Sequence, residues 1–313
     1  MKNYINLSDI EDLPELLEDA LKLKEHNSDP ELGKGKTLGM LFFNPSLRTR
    51  LSTEKAAKLL GMEVMVMNVN SDGWALEFED GVVMDSNKAE HIKEGAAVLS
   101  QYCDIIAVRA FPELKDKDKD NAEMVMNGFK EYASVPILNL ESATGHPLQA
   151  LTDALTILEL KQVKRPKVVL TWAPHPRALP HAVPNSFVEM MQKMDVDFTI
   201  THPVGYELNS DVTKDTPIIH DQEEALKDAD FVYVKNWSSY EHYGDVLRAD
   251  NAWTFNLEKL QHTNNARVMH CLPVRRNIVI ADEVLDSDNS VVIHQANNRT
   301  FAAQAVLKKL LKN

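Results

Sequence analysis

The residues best suited to do chemistry here lie in one short run, Phe42-Phe43-Asn44-Pro45-Ser46-Leu47-Arg48-Thr49-Arg50. It offers hydroxyls at Ser46 and Thr49 and the planar fork of Arg48, which matches two oxygens of a phosphate. The run follows an apolar stretch, Thr37-Leu38-Gly39-Met40-Leu41, and precedes Leu51 to Leu60, whose apolar residues recur at helical spacing up to Gly61. A strand that turns at Asn44-Pro45 and enters a helix near Ser46 adds the unpaired N–H groups and positive dipole end of a helix N-terminus. Anion binding is the chemistry these parts imply. A capping serine beside solvated arginines is the plain alternative.

Further reactive residues recur where apolar runs end. Arg109 closes Asp104-Ile105-Ile106-Ala107-Val108, and Glu141 follows Val135 to Leu140, with His146-Pro147-Leu148-Gln149 just beyond. Ligands of parallel α/β sheets sit at the carboxyl ends of the strands, so Ser46, Arg48, Arg109, Glu141 and His146 are expected to converge. In the second half, Val168 to Trp172 leads into a proline loop with His175 and Arg177. Phe231 to Val234 ends on Lys235, and Ala266 to His270 opens into Cys271, Leu272, Pro273 and Arg275.

The elements that must position these residues alternate. Strands over Thr37–Leu41, Glu63–Val69, Asp104–Arg109, Val135–Leu140, Val168–Trp172, Asp197–Thr201, Phe231–Lys235 and Ala266–His270 are separated by helical stretches, and Ser290–Ile293 is expected as the last strand. This predicts an α/β protein of two doubly wound parallel-sheet domains with an active-site cleft between them. Ser8 and Glu11 have capping-box spacing for a first helix. Residues 27–36 and the charged run Lys115 to Asp120 read as loops, Asn121–Tyr132 and Ser186–Met194 as helices. Asn70 to Asn87 reads as a long polar loop with Trp74 near its tip. The final helix is expected over Asn297–Leu311, with Arg299 near its start.

At 313 residues, with 44% hydrophobic and 26% charged residues, the chain is long enough for two globular domains. A formal net charge of -13 argues against nucleic acid and anionic membranes as partners. No run is long and apolar enough to span a membrane, and the first residues lack a signal-peptide pattern. Two cysteines, Cys103 and Cys271, make no disulfide framework and point to a reducing, cytoplasmic compartment; nor do they supply a zinc site. His181, His202, His220 and His242 are scattered and read as surface residues.

Taken in order, Ser46-Leu47-Arg48-Thr49, Arg109, His146-Pro147-Leu148-Gln149 and His270-Cys271-Leu272-Pro273 resemble the aspartate/ornithine carbamoyltransferase family over essentially the full length. The resemblance implies carbamoyl phosphate as a substrate. Its phosphate would be held by Ser46, the Leu47 backbone, Arg48 and Thr49, with Arg299 adding charge. Arg109 and His146 would donate to the carbamoyl oxygen, and the carbonyls of Cys271 and Leu272 would accept from the carbamoyl NH2. The amine attacks directly, so no metal, cofactor or enzyme nucleophile is implied, and the Cys271 thiol has no role. Trp74 would reach in from an adjacent subunit of a homotrimer with shared active sites. Residues 1–148 would bind carbamoyl phosphate, 149–294 the amine substrate, and 295–313 would form a C-terminal helix packing back on the first domain.

The second half departs from plain ornithine carbamoyltransferases. Where that family carries an Asp and a Ser-Met-Gly loop for a free α-amino group, this sequence reads Tyr233-Val234-Lys235-Asn236-Trp237-Ser238-Ser239. A lysine suits an acylated, neutral nitrogen or an added carboxylate, so the chain resembles the acylornithine branch. Glu141, His175, Lys235 and Arg275 would then contact the acylated amino acid. One position in the long loop separates succinyl from acetyl enzymes, as proline or glutamate; here it aligns with Ala89, beside Glu90. Absence of a glutamate leaves room for a succinyl carboxylate. The reading favours N-succinyl-L-ornithine, converted to N-succinyl-L-citrulline in arginine biosynthesis. N-acetyl-L-ornithine is the alternative and ornithine the third. A non-catalytic sensor of carbamoyl phosphate is the competing class. A generic nucleotide-binding protein lacks support, since no G-x-G-x-x-G follows the first strand.

Overall fold

The computed structural model describes residues 1–26, 29–248 and 250–312, and of Asn70 the backbone alone. Asn27 and Ser28, where the expected first loop begins, lie outside the described residues. The chain divides into two compact units. The first comprises Met1–Glu113, Asp118–Leu148 and Arg299–Asn313, the second Leu114–Lys117 and Gln149–Asn298.

The first unit is built on a parallel sheet in the order β2-β1-β5-β6. Its strands are β1 (Thr37–Phe42), β2 (Glu63–Asn68), β5 (Ile105–Arg109) and β6 (Ile137–Glu141), and a separate parallel pair joins β3 (Ala75–Glu77) to β4 (Lys88–His91). β1 and β5 are buried almost throughout, as in the central strands of a parallel sheet covered on both faces; β2, at the edge, alternates in exposure. Leu41, Ile92, Val108, Met126 and Phe129 belong to the core of this unit. The chain leaves β1 towards β2 and returns to lay down β5 on the opposite side. The order therefore reverses between β1 and β5, which is where doubly wound sheets bind ligands.

The second unit repeats the plan in the order β11-β10-β7-β8-β9, again all parallel. Its strands are β7 (Lys167–Trp172), β8 (Asp197–Thr201), β9 (Ile218–Ile219), β10 (Phe231–Lys235) and β11 (Arg267–Met269). Here the order reverses between β7 and β10, so the residues after Trp172 and after Val234 share the corresponding position.

Several local expectations are corrected. The helix after β1 spans Arg48–Leu59 and begins on Leu47 without a side-chain cap, so Ser46 precedes the helix. The first capping box uses Asn6 and Asp9 around a short 3-10 turn rather than Ser8 and Glu11, because the chain has to turn before the helix Leu13–His26. The expected Asn70–Asn87 loop contains a helical turn, Val69–Asp72, and β3. Lys117–Asn121 is a short helix with no buried residue, and the helix after it starts at Met124. Ser290–Ile293 is not a strand: Ser290 makes a single bridge to Val268, and the last helix already runs over Val292–Leu311. The helix expected from Ser186 spans Ala182–Met191, with Pro184 in its first turn, where a missing N–H costs nothing.

Gly61 ends the helix Arg48–Leu59 at φ +81°, and a Cβ there would stand 1.9 Å from the Pro30 carbonyl oxygen. Gly61→Ala is expected to destabilise the first unit by about 1–3 kcal/mol, since both the backbone angle and the space exclude a side chain. Urea unfolding followed by circular dichroism checks this, and an unchanged midpoint would contradict it.

Candidate active site

The first half-site grows from strand register. Arg109 ends β5 and Glu141 ends β6, and the two are partners in the ladder across an irregularity at Val108/Arg109. Their side chains meet: the Arg109 Nη1 donates to Glu141 Oε2 at 2.6 Å, with both groups largely buried. On the other flank Phe42 of β1 pairs with Arg109, so the chain leaving β1 delivers Thr49, in the first turn of its helix, to the same guanidinium. Thr49 Oγ1 accepts from Arg109 Nη1 at 3.3 Å and from Arg299 Nη2 at 2.8 Å. Two guanidiniums thus converge on one hydroxyl that is only 2% exposed. His146 stands beside them, its Nε2 3.6 Å from Glu141 Oε2.

Burial and the neighbouring charges of Arg299 and Arg109 hold the His146 imidazole well below the ordinary histidine pKa. The ring is therefore neutral at pH 7, when it can offer an N–H without adding a third positive charge. Ser46 and Arg48 are half-buried on the approach to this cluster, and Leu47 is exposed.

Three positioning residues escaped the sequence reading. Asn44 Oδ1 accepts from the Phe111 N–H at 2.7 Å, tying the turn after β1 to the turn after β5. The Phe111 ring centroid lies 4.2 Å from the Arg109 guanidinium carbon, a cation–π contact. Glu123, in the left-handed region at φ 48°, accepts from the hydroxyls of Ser142 and Thr144 and from the Thr144 N–H, fixing the turn that leads to His146. Asn-Pro was a visible turn signal for Asn44; Glu123 had none, because its partners lie about twenty residues away.

The second half-site collects Lys235, His175, Arg275 and the Cys271-Leu272 turn. Lys235 ends β10 opposite Trp172 of β7, is 7% exposed, and donates to the Asn236 carbonyl at 3.0 Å. Arg275 Nε lies 3.1 Å from His175 Nε2, and partial burial with the charges of Arg275, Lys235 and Arg177 lowers the pKa of His175. The sequence order His146-Pro147-Leu148-Gln149 divides here: His146 belongs to the first unit and Gln149 to the second. Asp153 Oδ1 accepts from Gln149 Nε2 and from Gln295 Nε2, both at 2.7 Å. Gln295 Oε1 accepts from the His270 N–H at 2.9 Å, and His270 Nδ1 accepts from the Leu272 N–H at 2.8 Å. This buried relay sets the course of the Cys271-Leu272 turn, where Leu272 holds a positive φ of 56°. Asp153 and Gln295 were not anticipated, since each looks like an ordinary helix residue.

Glu141 is found with Arg109 in the first unit, whereas His175, Lys235 and Arg275 lie in the second. Trp74 is 59% exposed and its Nε1 donates to Glu90 at 2.7 Å. Ala89 is exposed on β4, where alternation turns it to the opposite face from Glu90. Two of the four histidines expected at the surface are buried, His181 at 4% and His202 at 0% exposure: His202 follows the buried run of β8, and His181 Nε2 lies 2.7 Å from the Ser238 carbonyl.

Two family models match the chain. They are the carbamoyl-P binding domain of aspartate/ornithine carbamoyltransferase over residues 2–159 and its Asp/Orn binding domain over residues 181–310. The N-succinylornithine carbamoyltransferase of Bacteroides thetaiotaomicron is 49% identical over 315 residues, covering 100% of this chain and 99% of the relative. The N-acetylornithine carbamoyltransferase of Xanthomonas campestris is 35% identical, covering 99% and 98%. One solved structure is an N-acetyl-L-ornithine transcarbamylase in which a glutamate is changed to alanine, complexed with carbamyl phosphate and N-succinyl-L-norvaline. It matches with a TM-score of 0.93 at 35% identity, covering 99% of this chain and 100% of its own.

The folded-state pKa of His146 lies below the unfolded value. The stability its neutral ring contributes is thus fully present above about pH 6.5 and lost as pH falls below that value. NMR of the imidazole resonances should show His146 titrating well below the ordinary histidine range. A titration midpoint near 6.5 would contradict the cluster described here.

Proposed function

Because the chain belongs to the aspartate/ornithine carbamoyltransferase family, we propose that it transfers the carbamoyl group of carbamoyl phosphate to the δ-amine of N-succinyl-L-ornithine. The products are N-succinyl-L-citrulline and phosphate, and the reaction serves arginine biosynthesis in the cytoplasm. The observation that carries the carbamoyl phosphate half is the pair of guanidiniums on Thr49, at a helix N-terminus and a sheet switch point.

In this reading Ser46, Leu47, Arg48, Thr49 and Arg299 take the phosphate. The amine forms a bond to the carbamoyl carbon, negative charge collects on the carbamoyl oxygen, and Arg109 with neutral His146 stabilises it. The C–O bond to phosphate then breaks, and the amine proton leaves with the departing group. A free δ-amine has a pKa of about 10.4, so the bound amine has to shed a proton before it attacks. Cys271 and Leu272 orient the carbamoyl NH2 through their carbonyls, and the Asp153 relay keeps those carbonyls in place. The gain comes from orientation and fixed dipoles rather than from a covalent intermediate.

His175, Lys235 and Arg275 take the acylated amino acid, and Glu141 is assigned to the same substrate. Two features favour succinyl over acetyl. The Bacteroides relative named for succinylornithine is more similar than the acetylornithine relatives, 49% against 35%. Ala89 also leaves open the space and charge that a glutamate would deny to a second carboxylate; the neighbour complexed with N-succinyl-L-norvaline has lost a glutamate to alanine. Trp74, with Val82, Val83 and Met84, exposes apolar surface on the segment between β2 and β4. That exposure suits a homotrimer in which Trp74 completes a neighbour's site.

A citrulline-type product assay with ornithine, N-acetylornithine and N-succinylornithine tests the reading. N-succinylornithine should give the highest kcat/KM, by about tenfold or more, and a preference for the acetyl compound would overturn the acyl assignment. Lys235→Ala should raise KM for the acylornithine while leaving that for carbamoyl phosphate near its starting value; equal effects on both would count against its role. Arg48→Ala should abolish carbamoyl phosphate binding. Mixing that variant with Trp74→Ala should partly restore activity if subunits share sites, and no recovery would speak against sharing.

A further inference from the structure

Outside both half-sites, three residues of the second unit stand together in a way carbamoyl transfer does not explain. β8 and β9 pair with Thr201 opposite Ile219, so the next residue of each strand, His202 and His220, emerges side by side at the carboxyl edge. Their ring centroids are 5.1 Å apart. The turn after β8 closes with the Tyr206 N–H on the Pro203 carbonyl and folds Glu207 back towards them. One ligand atom from each of His202, Glu207 and His220 can be chosen so that the three lie within 4.8 Å of one another.

We propose that His202, Glu207 and His220 form a divalent transition-metal site of the two-histidine, one-carboxylate type, suited to Zn²⁺. The tautomers support it. His202 Nδ1 lies 2.9 Å from the Pro203 carbonyl and His220 Nδ1 lies 3.0 Å from the His202 carbonyl. A carbonyl only accepts, so each Nδ1 carries the hydrogen and each Nε2 turns a lone pair outward. Metal-ligating histidines are commonly held by such an outer hydrogen bond. His202 Nε2 is fully buried and has no hydrogen-bond partner among the described residues, which leaves a polar atom aimed into the cluster. The Glu207 carboxylate is itself oriented, accepting from the Gly205 N–H at 3.0 and 3.2 Å. Burial also lowers the pKa of His202, keeping it in the form that binds metal.

The fit needs little movement. Three atoms separated by at most 4.8 Å lie within about 2.8 Å of a common centre, and ordinary Zn–N and Zn–O bonds are about 2.0–2.2 Å. Each ligand closes by about 0.7 Å, within reach of a side-chain rotation, and water takes the open position. A metal here would staple the two-residue strand β9 and the 203–207 turn to β8. That turn also carries the Tyr206 carbonyl, which accepts from Trp237 Nε1 at 2.7 Å, two residues after Lys235.

The test uses the full chain, freed of metal by chelation and titrated with Co²⁺ and then Zn²⁺. Expected are the visible absorption of four- or five-coordinate Co²⁺ at one ion per chain, its displacement by Zn²⁺, and a higher Tm with Zn²⁺. His220→Ala and Glu207→Gln change side chains that are not fully buried, so both should fold, as circular dichroism will check. Each should weaken Co²⁺ binding by about tenfold or more and abolish the Tm gain. Absence of a Co²⁺ spectrum, or binding unchanged in both folded variants, would overturn the assignment and place any metal elsewhere, such as Cys271.

Discussion

Two guanidiniums share one buried hydroxyl. Arg109 and Arg299 both donate to Thr49, and like charges so placed repel strongly in a medium poorer than water in dielectric screening. The first unit tolerates this through Glu141, whose carboxylate sits 2.6 Å from Arg109, and through a histidine held neutral. Removing one partner of such a buried pair typically costs about 3–5 kcal/mol, a large share of a domain's total stability of about 5–15 kcal/mol. Counting Arg109, Arg299, Glu141 and neutral His146, the cluster keeps one net positive charge. An anion arriving at the helix start would balance that charge.

Both units solve the positioning problem in the same manner. A parallel sheet that changes winding direction leaves a gap between two strand ends where no helix crosses over. In the first unit the gap lies between β1 and β5 and receives Thr49 and Arg109; in the second it lies between β7 and β10 and receives His175 and Lys235. Residues at strand ends inherit the rigidity of the ladder, so Arg109 and Lys235 are placed by hydrogen bonds that their own side chains do not make. The Asp153 relay extends this to a turn, carrying order from Gln149 and Gln295 to Leu272.

Strand ends were legible in the sequence because apolar runs stop abruptly at charged residues, as at Arg109 and Lys235. The strand, turn and helix around Ser46 to Arg50 were legible, although the helix starts at Arg48 and Ser46 makes no cap. What local pattern could not reveal is pairing between distant segments. Glu123 with Thr144, Asp153 with Gln295 and Phe111 with Asn44 are set by the tertiary fold. The histidines illustrate the same limit: His202 and His220 are eighteen residues apart and look scattered, until the register of β8 and β9 sets them side by side. Ser290–Ile293 resembled a strand because Val291, Val292 and Ile293 are β-branched, yet the last helix takes up Val292 and Ile293, burying Val292 and leaving Ile293 exposed.

The convergence on Thr49 is tested most directly by calorimetric titration of carbamoyl phosphate into the chain carrying Arg299→Met, with circular dichroism confirming the fold. A loss of about a hundredfold or more in affinity is expected, since a buried charge-assisted contact is worth about 2–5 kcal/mol. An affinity within about threefold of the parent chain would contradict the two-arginine cradle.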